Sequence, residues 1–317
     1  MDSITQAALG AAIGHSLLGN ELGKKAALLG AVIATIPDLD VILYAIYSPL
    51  EMLSIHRGFS HSIAFTFIAA FVLTFLFTRF QWTRRISKKK IWLFSWLCLI
   101  THILLDTCTA YGTQVLMPIS DARLGLDCIN VVDPVYTLPL IIGLGLSMLR
   151  KIALPNKVGL LISLVYLMMT FGIKEVLIER IVKRELHESS IEYSEFKTTP
   201  VGFAGIHWYA VARNDDSLYL KKFSWLEDLD SEFVSFPIHE HLLDRVDSDL
   251  VEGIKWFSKG LYTVEQRDGT IRFFNLQVDM RGFVDDGVQL APTAGYFELK
   301  EEEDGTWQLS SGTVLPQ

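Results

Sequence analysis

The chain has 317 residues, half of them hydrophobic and a fifth charged, with a formal net charge of −8. Intrinsic disorder is excluded, because it needs low hydrophobicity, and three cysteines are too few for a disulfide-stapled secreted scaffold. The average hides a division near residue 184: residues 1–184 carry 17 Lys/Arg and 11 Asp/Glu, whereas 185–317 carry 11 and 25.

Residues 4–19 form an apolar run rich in Gly and Ala, with Gly10 and Gly14 at the spacing that lets two helices approach closely. The run either spans a bilayer or re-enters it. It is a poor signal peptide, because the first basic residue, Lys24, follows the apolar stretch. Further runs at 26–47, 63–77, 91–110, 134–149 and 158–178 approach the length of about 20 residues that crosses a hydrocarbon core. From residue 185 the pattern changes. Segments such as GIHWYAVA, SLYLKKFSW and GTIRFFNLQVDM alternate bulky and polar residues, and RNDDS and RDGT supply turn chemistry. The expected architecture is a mainly α membrane helical bundle of five to six apolar segments over residues 1–184. A β-rich, soluble, acidic domain follows over 185–317. With no Gly-rich phosphate loop and no basic-aromatic face, nucleic acid is not an expected partner, whereas membrane lipid is.

Orientation follows from the basic residues, which favour cytoplasmic connections. Lys24 and Lys25, then Arg79, Arg84, Arg85, Lys88, Lys89 and Lys90, then Arg150, Lys151 and Lys157 lie in alternate connections, against only Arg57 and Arg123 in the intervening ones. This places the loops around His56 and Asp121 outside. By continuation the C-terminal domain is extracytoplasmic, although Arg180, Lys183 and Arg184, just past the last run, pull the other way.

Ionisable groups within membrane segments are costly and mark function by default. Here they cluster: PDLD brings Asp38 and Asp40, HRGFSHS brings His56, Arg57 and His61, and HILLD brings His102 and Asp106. At about 1.5 Å per helical residue, Asp38 stands roughly 20 Å above Lys25 and His102 roughly 18 Å above Lys90, so the two share a depth. Asp106 lies one turn above His102. Three histidines and three aspartates suit a divalent metal, zinc first and Mn or Fe(II) as alternatives, either singly or as a pair. Arg57 is suited to hold an anionic group such as phosphate. Asp40 is the candidate proton acceptor, Ser60 and Ser62 read as loop or capping residues, and His15 as a histidine bonded to a neighbouring helix. Cys98 reads as packing, while Cys108 and Cys128 both lie toward the outer side, where they could pair.

In order, MDSITQAALGAAIG, IPDLD, HRGFSHS, HILLDTCTAYGTQVLMP and VVDP resemble the YdjM-type family of bacterial inner-membrane proteins over about residues 1–150. The resemblance implies a multi-pass protein of the bacterial inner membrane and a metal-dependent hydrolase. It further implies that Asp38, Asp40, His56, His61, His102 and Asp106 hold the metal. Many members carry His where this chain has Gln6. The function expected from these readings is a membrane-bound, metal-dependent hydrolase acting near the outer leaflet on a phosphoester or lipid headgroup. An ion or metal transporter and a metal-stabilised sensor or scaffold are the alternatives.

Overall fold

The computed structural model describes residues 1–224, 226, 232–278 and 295–313. Contacts divide the chain into two units, Met1–Leu43 with Ile55–Phe171, and Tyr44–Ser54 with Gly172–Gln317.

In the first unit, helix α1 (Ser3–Leu22) starts at Asp2, whose carboxylate accepts the N–H groups of Ile4 and Thr5. It ends at Gly23, whose φ of 56° a glycine adopts without the Cβ penalty, and the chain reverses into α2 (Lys24–Ala34). The two helices cross backbone to backbone. A Cβ on Gly10 would collide with the Gly30 carbonyl and the Ala34 methyl, and one on Gly14 with the Ala26 carbonyl. In lipid, where apolar side chains gain nothing by leaving solvent, such close approach is what holds helices together. Pro37, which cannot donate to the preceding turn, opens a 3₁₀ helix, Pro37–Ala45, bent away from α2.

Helices α4 (Ile63–Phe77) and α5 (Lys88–Thr107) are capped by the Ser62 and Ser87 hydroxyls, and α6 (Pro134–Arg150) by Asp133 with proline at its first position. Helix α7 (Leu154–Ile173) continues through a π turn (Lys174–Ile178) into α8 (Glu179–Glu188). Among the described residues, α5 and the continuous helix Leu154–Glu188 are long and apolar enough to cross a membrane. The bent pairs Lys24–Ala34 with Pro37–Ala45 and Pro49–His61 with Ile63–Phe77 raise the number to four if each is one span. Helix α6 has only 17 residues, and α1 dilutes its apolar residues with Ser, Thr, Gln, Asn and Gly. Length and composition therefore support two to four spans, where the apolar runs suggested five to six.

The second unit holds helix α3 (Pro49–Ile55) and two four-stranded antiparallel sheets. One runs β1 (Glu195–Val201), β2 (His207–Arg213), β3 (Ser217–Ser224), β4 (Val234–Pro237). The other runs β5 (Tyr262–Arg267), β6 (Thr270–Asn275), β7 (Gly295–Glu301), β8 (Trp307–Thr313). Both turn signals join hairpins. Asn214 Oδ1 accepts the N–H groups of Asp216 and Ser217 between β2 and β3, and Asp268–Gly269, both at positive φ, connect β5 to β6. Period-2 alternation buries both faces of β2. Tyr209 and Val211 join a core with Leu218, Ile271, Phe273 and Ile254 of α9 (Ser248–Ser258). Trp208, Ala210 and Ala212 pack instead against Ile178, Val182 and Leu186 of the π turn and α8. Leu50 and Leu53 of α3 pack on the first of these cores, Leu50 filling the space that a Cβ on Gly253 would take. Two of the three basic residues past the last run are partnered within α8, Lys183 with Glu179 at 3.2 Å and Arg184 with Glu188 at 3.8 Å.

Candidate metal centre

Three segments of the first unit converge. The start of the 3₁₀ helix brings Asp38, the turn before α4 brings His61, and the C-terminal end of α5 brings His102 and, one turn on, Asp106. One ligand atom from each of these four residues lies within 4.8 Å of all the others. His61 Nε2 stands 3.2 Å from His102 Nε2. Asp38 Oδ1 is 3.4 Å from the first nitrogen and 3.5 Å from the second, and Asp106 Oδ2 is 3.6 and 3.9 Å from them. A tetrahedral ion bound at about 2.0 Å separates its ligands by about 3.3 Å. His61, His102 and Asp106 are buried; Asp38 is the more open, its side chain 23% exposed.

The hydrogen bonds around the cluster fix both tautomers. His102 Nδ1 meets the Ala34 carbonyl oxygen at 2.5 Å; a carbonyl can only accept, so this nitrogen carries the proton and Nε2 a lone pair. Ser60 Oγ donates its one hydrogen to Asp40 Oδ2 at 2.8 Å, so its 3.0 Å contact with His61 Nδ1 must be donated by the imidazole. His61 Nε2 is then also a lone pair. Two imidazole lone pairs and two carboxylate oxygens thus face one point. Asp106 Oδ2 is buried without a hydrogen-bond partner. Buried imidazole and carboxylate groups gathered in this way are suited to hold a divalent metal ion.

Asp40 and His56 stand outside this group of four, in a layer behind it. Asp40 accepts from His56 Nδ1 at 2.9 Å, the Arg57 backbone N–H at 3.1 Å and Ser60, and lies 3.3 Å from His61 Nδ1. It is the carboxylate that steadies His61. The third expected histidine, His56, stands outside the four, bonded to Asp40 and set edge-on to the His61 ring at 6.2 Å between centroids. Arg57 lies on the other flank, its Nε 3.4 Å from Asp106 Oδ2 and its Nη1 donating to Thr109 Oγ1 at 3.2 Å. Asp106 Oδ1 is shared by the Met1 amine and Gln6 Nε2, the latter at 3.0 Å. Gln6 also donates to the His102 carbonyl at 3.2 Å. A glutamine in an apolar run was itself a signal that the segment touches something polar.

The remaining residues are structural. His15 Nε2 bonds Ser147 Oγ at 3.2 Å. Ser62 caps α4. Cys98 is buried beside the Gly10 carbonyl, and Cys108 and Cys128 lie together, the Cys128 N–H donating to the Cys108 carbonyl at 2.9 Å.

The chain is 28% identical over 200 residues to Uncharacterized protein YfhP of Bacillus subtilis, covering 59% of this chain and 58% of that protein. It is 34% identical over 122 residues to Inner membrane protein YbcI of Escherichia coli, covering 38% of this chain and 69% of the other. The chain thus spans little more than half the length of YfhP. No solved structure matches it. The profile of the YdjM inner membrane protein family matches residues 1–180, taking in every residue of the cluster, and the chain belongs to that family.

Proposed function

We propose that the protein is a multi-pass membrane protein that uses the Asp38, His61, His102 and Asp106 cluster to hold one divalent metal ion for hydrolysis at the outer face of the membrane. The observation that carries the reading is the meeting of two imidazole nitrogens and two carboxylate oxygens from three segments, all within 4.8 Å of one another. When bound, such an ion supplies an acidified water as nucleophile. Zinc expanded to five ligands leaves one position for it, and six-coordinate Mn or Fe(II) leaves two. The chain's own residues do the rest. Asp40 holds His61 in the ligating tautomer, and the Ala34 carbonyl does the same for His102. Asp38 is the most solvent-open member of the four. Arg57 steadies an anionic substrate, a phosphoester or lipid headgroup being the class that suits a guanidinium at a bilayer surface.

The outer assignment is supported by the bias of basic residues and by α3. The loop 44–54 leaves the chain between Asp40 and His56 and packs Leu50 and Leu53 onto the C-terminal sheets. This packing supports a C-terminal domain on the side of the membrane that the His56 loop occupies.

The test uses full-length protein purified in detergent. Metal content is measured alongside turnover of a panel of phosphomonoesters, phosphodiesters and phospholipids, with His102→Ala and Asp38→Ala as controls. About one metal per chain, lost in both variants together with turnover, is expected; full metal content in both variants would overturn the reading. Stable, metal-loaded protein without turnover would favour a second one, in which the four ligands close a tetrahedral zinc site that ties the helices together.

A further inference from the structure

The outer connection between α5 and α6, residues 108–133, brings a second guanidinium to the flank of the cluster. Arg57 lies over the Tyr111 ring, 5.6 Å from its centroid, and Arg123 Nη2 donates to the backbone carbonyl of the same tyrosine. Thr113 and Leu124 form a two-bond antiparallel bridge that fastens Arg123 beside Tyr111. The Gln114 N–H donates to the Arg57 carbonyl at 3.1 Å, tying both arginines to one loop. The Arg57 backbone is at φ 61°, a left-handed conformation that is strained for a residue bearing a side chain. Its N–H bond to Asp40 and its carbonyl bond to Gln114 hold it there. Burial and the like charge of Arg57 lower the Arg123 guanidinium to about 10, still protonated at neutral pH. Two cations gathered on one tyrosine, one of them touching Asp106, suit an anion with several oxygens, and the planar fork of Arg matches phosphate in particular.

The same loop is apolar on its surface. Leu116, Leu124 and Leu126 are each more than two-fifths exposed and Ile119 is 93% exposed. Helices α5 and α6 attach at its two ends, so the loop is tethered at the membrane boundary. Apolar side chains held there are covered by the interfacial region of the bilayer.

We propose that Arg57 and Arg123 form a phosphate subsite beside the cluster, and that the apolar stretch 116–126 seats in the outer leaflet, so that the phosphate taken is that of a lipid headgroup. The assignment of a hydrolytic role to this subsite rests on the metal reading above; its affinity for phosphate does not. The experiment therefore measures metal content and ligand binding separately on full-length protein in a phosphate-free detergent. One arm titrates a short-chain phosphatidic acid, a second inorganic phosphate. A third places an environment-sensitive fluorophore on Ile119→Cys in proteoliposomes and quenches it with spin-labelled lipid.

Wild-type protein is expected to bind the lipid at least tenfold more tightly than inorganic phosphate. Arg123→Gln should weaken that binding at least tenfold with metal content unchanged, and Arg123→Lys, which keeps the charge without the fork, should fall between. The Ile119 label should be quenched from the lipid phase. Equal lipid binding by wild type and both variants overturns the subsite. Inorganic phosphate bound as tightly as lipid, or an Ile119 label quenched only from water, overturns the lipid source. Wild-type protein without metal would overturn the hydrolytic reading alone, because the binding arms read phosphate recognition in its absence.

Discussion

Replacing Asp40 separates a ligand from the group that orients a ligand. Asp40 presents one oxygen to His56 Nδ1, at 2.9 Å, and the other to Ser60, the Arg57 N–H and His61 Nδ1, at 2.8, 3.1 and 3.3 Å. In Asp40→Asn the side-chain oxygen can keep the three donors while the amide turns to His56, so mainly charge is lost. Removing such an outer partner costs about 10–100-fold in metal affinity, or about 1.4–2.7 kcal/mol. Asp40→Asn belongs at the lower end and Asp40→Ala, which frees His61 to rotate, at the upper. A true ligand is worth more. A fourth of the about 10–16 kcal/mol typical of a four-ligand zinc site is about 3–4 kcal/mol, so Asp38→Ala should lose roughly 10²–10³-fold. Competition against a chromophoric chelator, on detergent-solubilised protein checked for folding, ranks the three. Raising the free metal should refill Asp40→Asn. The reasoning fails if Asp40→Ala loses as much affinity as Asp38→Ala, which would make Asp40 a direct ligand, or if neither Asp40 variant loses any.

Cysteine substituted for Ser87 in a Cys-free background should resist an impermeant thiol reagent in intact cells, whereas cysteine at Ser54 should react; the reverse pattern would invert the membrane topology. Leu53→Asp should lower the unfolding temperature of the C-terminal domain by several degrees, from about 2–3 kcal/mol of lost burial; an unchanged transition would detach α3 from that core. Mild oxidation should cross-link Cys108 to Cys128, read by mass spectrometry, and leave Cys98 as a thiol; an uncross-linked pair would contradict their adjacency.

Depth counting along the apolar runs set Asp38 level with His102 and Asp106 one turn above, and put Asp40, His56 and His61 over the same cavity, although the helix it ran along is bent by 50° before Asp38. It could not rank Asp38 against Asp40. Two residues apart at the start of a 3₁₀ helix, one carboxylate faces the cluster and the other faces His56, and that choice depends on how the chain turns after Pro37. His56 and His61 share a loop for the same reason without sharing a role. Arg123 was visible only as a topology exception, since its approach to Tyr111 depends on the Thr113–Leu124 bridge. In the C-terminal domain, alternation marked β2, β3 and β6, and RNDDS and RDGT the turns that lead into β3 and β6, while the ends of two of those segments, residues 225 and 279–280, lie outside the described residues. Nothing in residues 48–55 announced that Leu50 and Leu53 would complete a core whose other members lie more than 140 positions along the chain. Periodicity describes a face and is silent about its partner.

Because Gly10 meets Ala34 at the α1–α2 crossing, the carbonyl that fixes His102 depends on the bulk of the residue at position 10 of the neighbouring helix. A methyl group added at position 10 pushes on the last turn of α2 and shifts the Ala34 carbonyl first. Random mutagenesis scored by loss of bound metal would therefore return small-to-larger changes at Gly10, Gly14 and Gly30 alongside the ligands themselves. Suppressors of Gly10→Ala should arise by shaving the facing residue, Ala34→Gly above all. The gene's intolerance of bulk would then be inherited through a crossing of two helices that contribute no ligand at all.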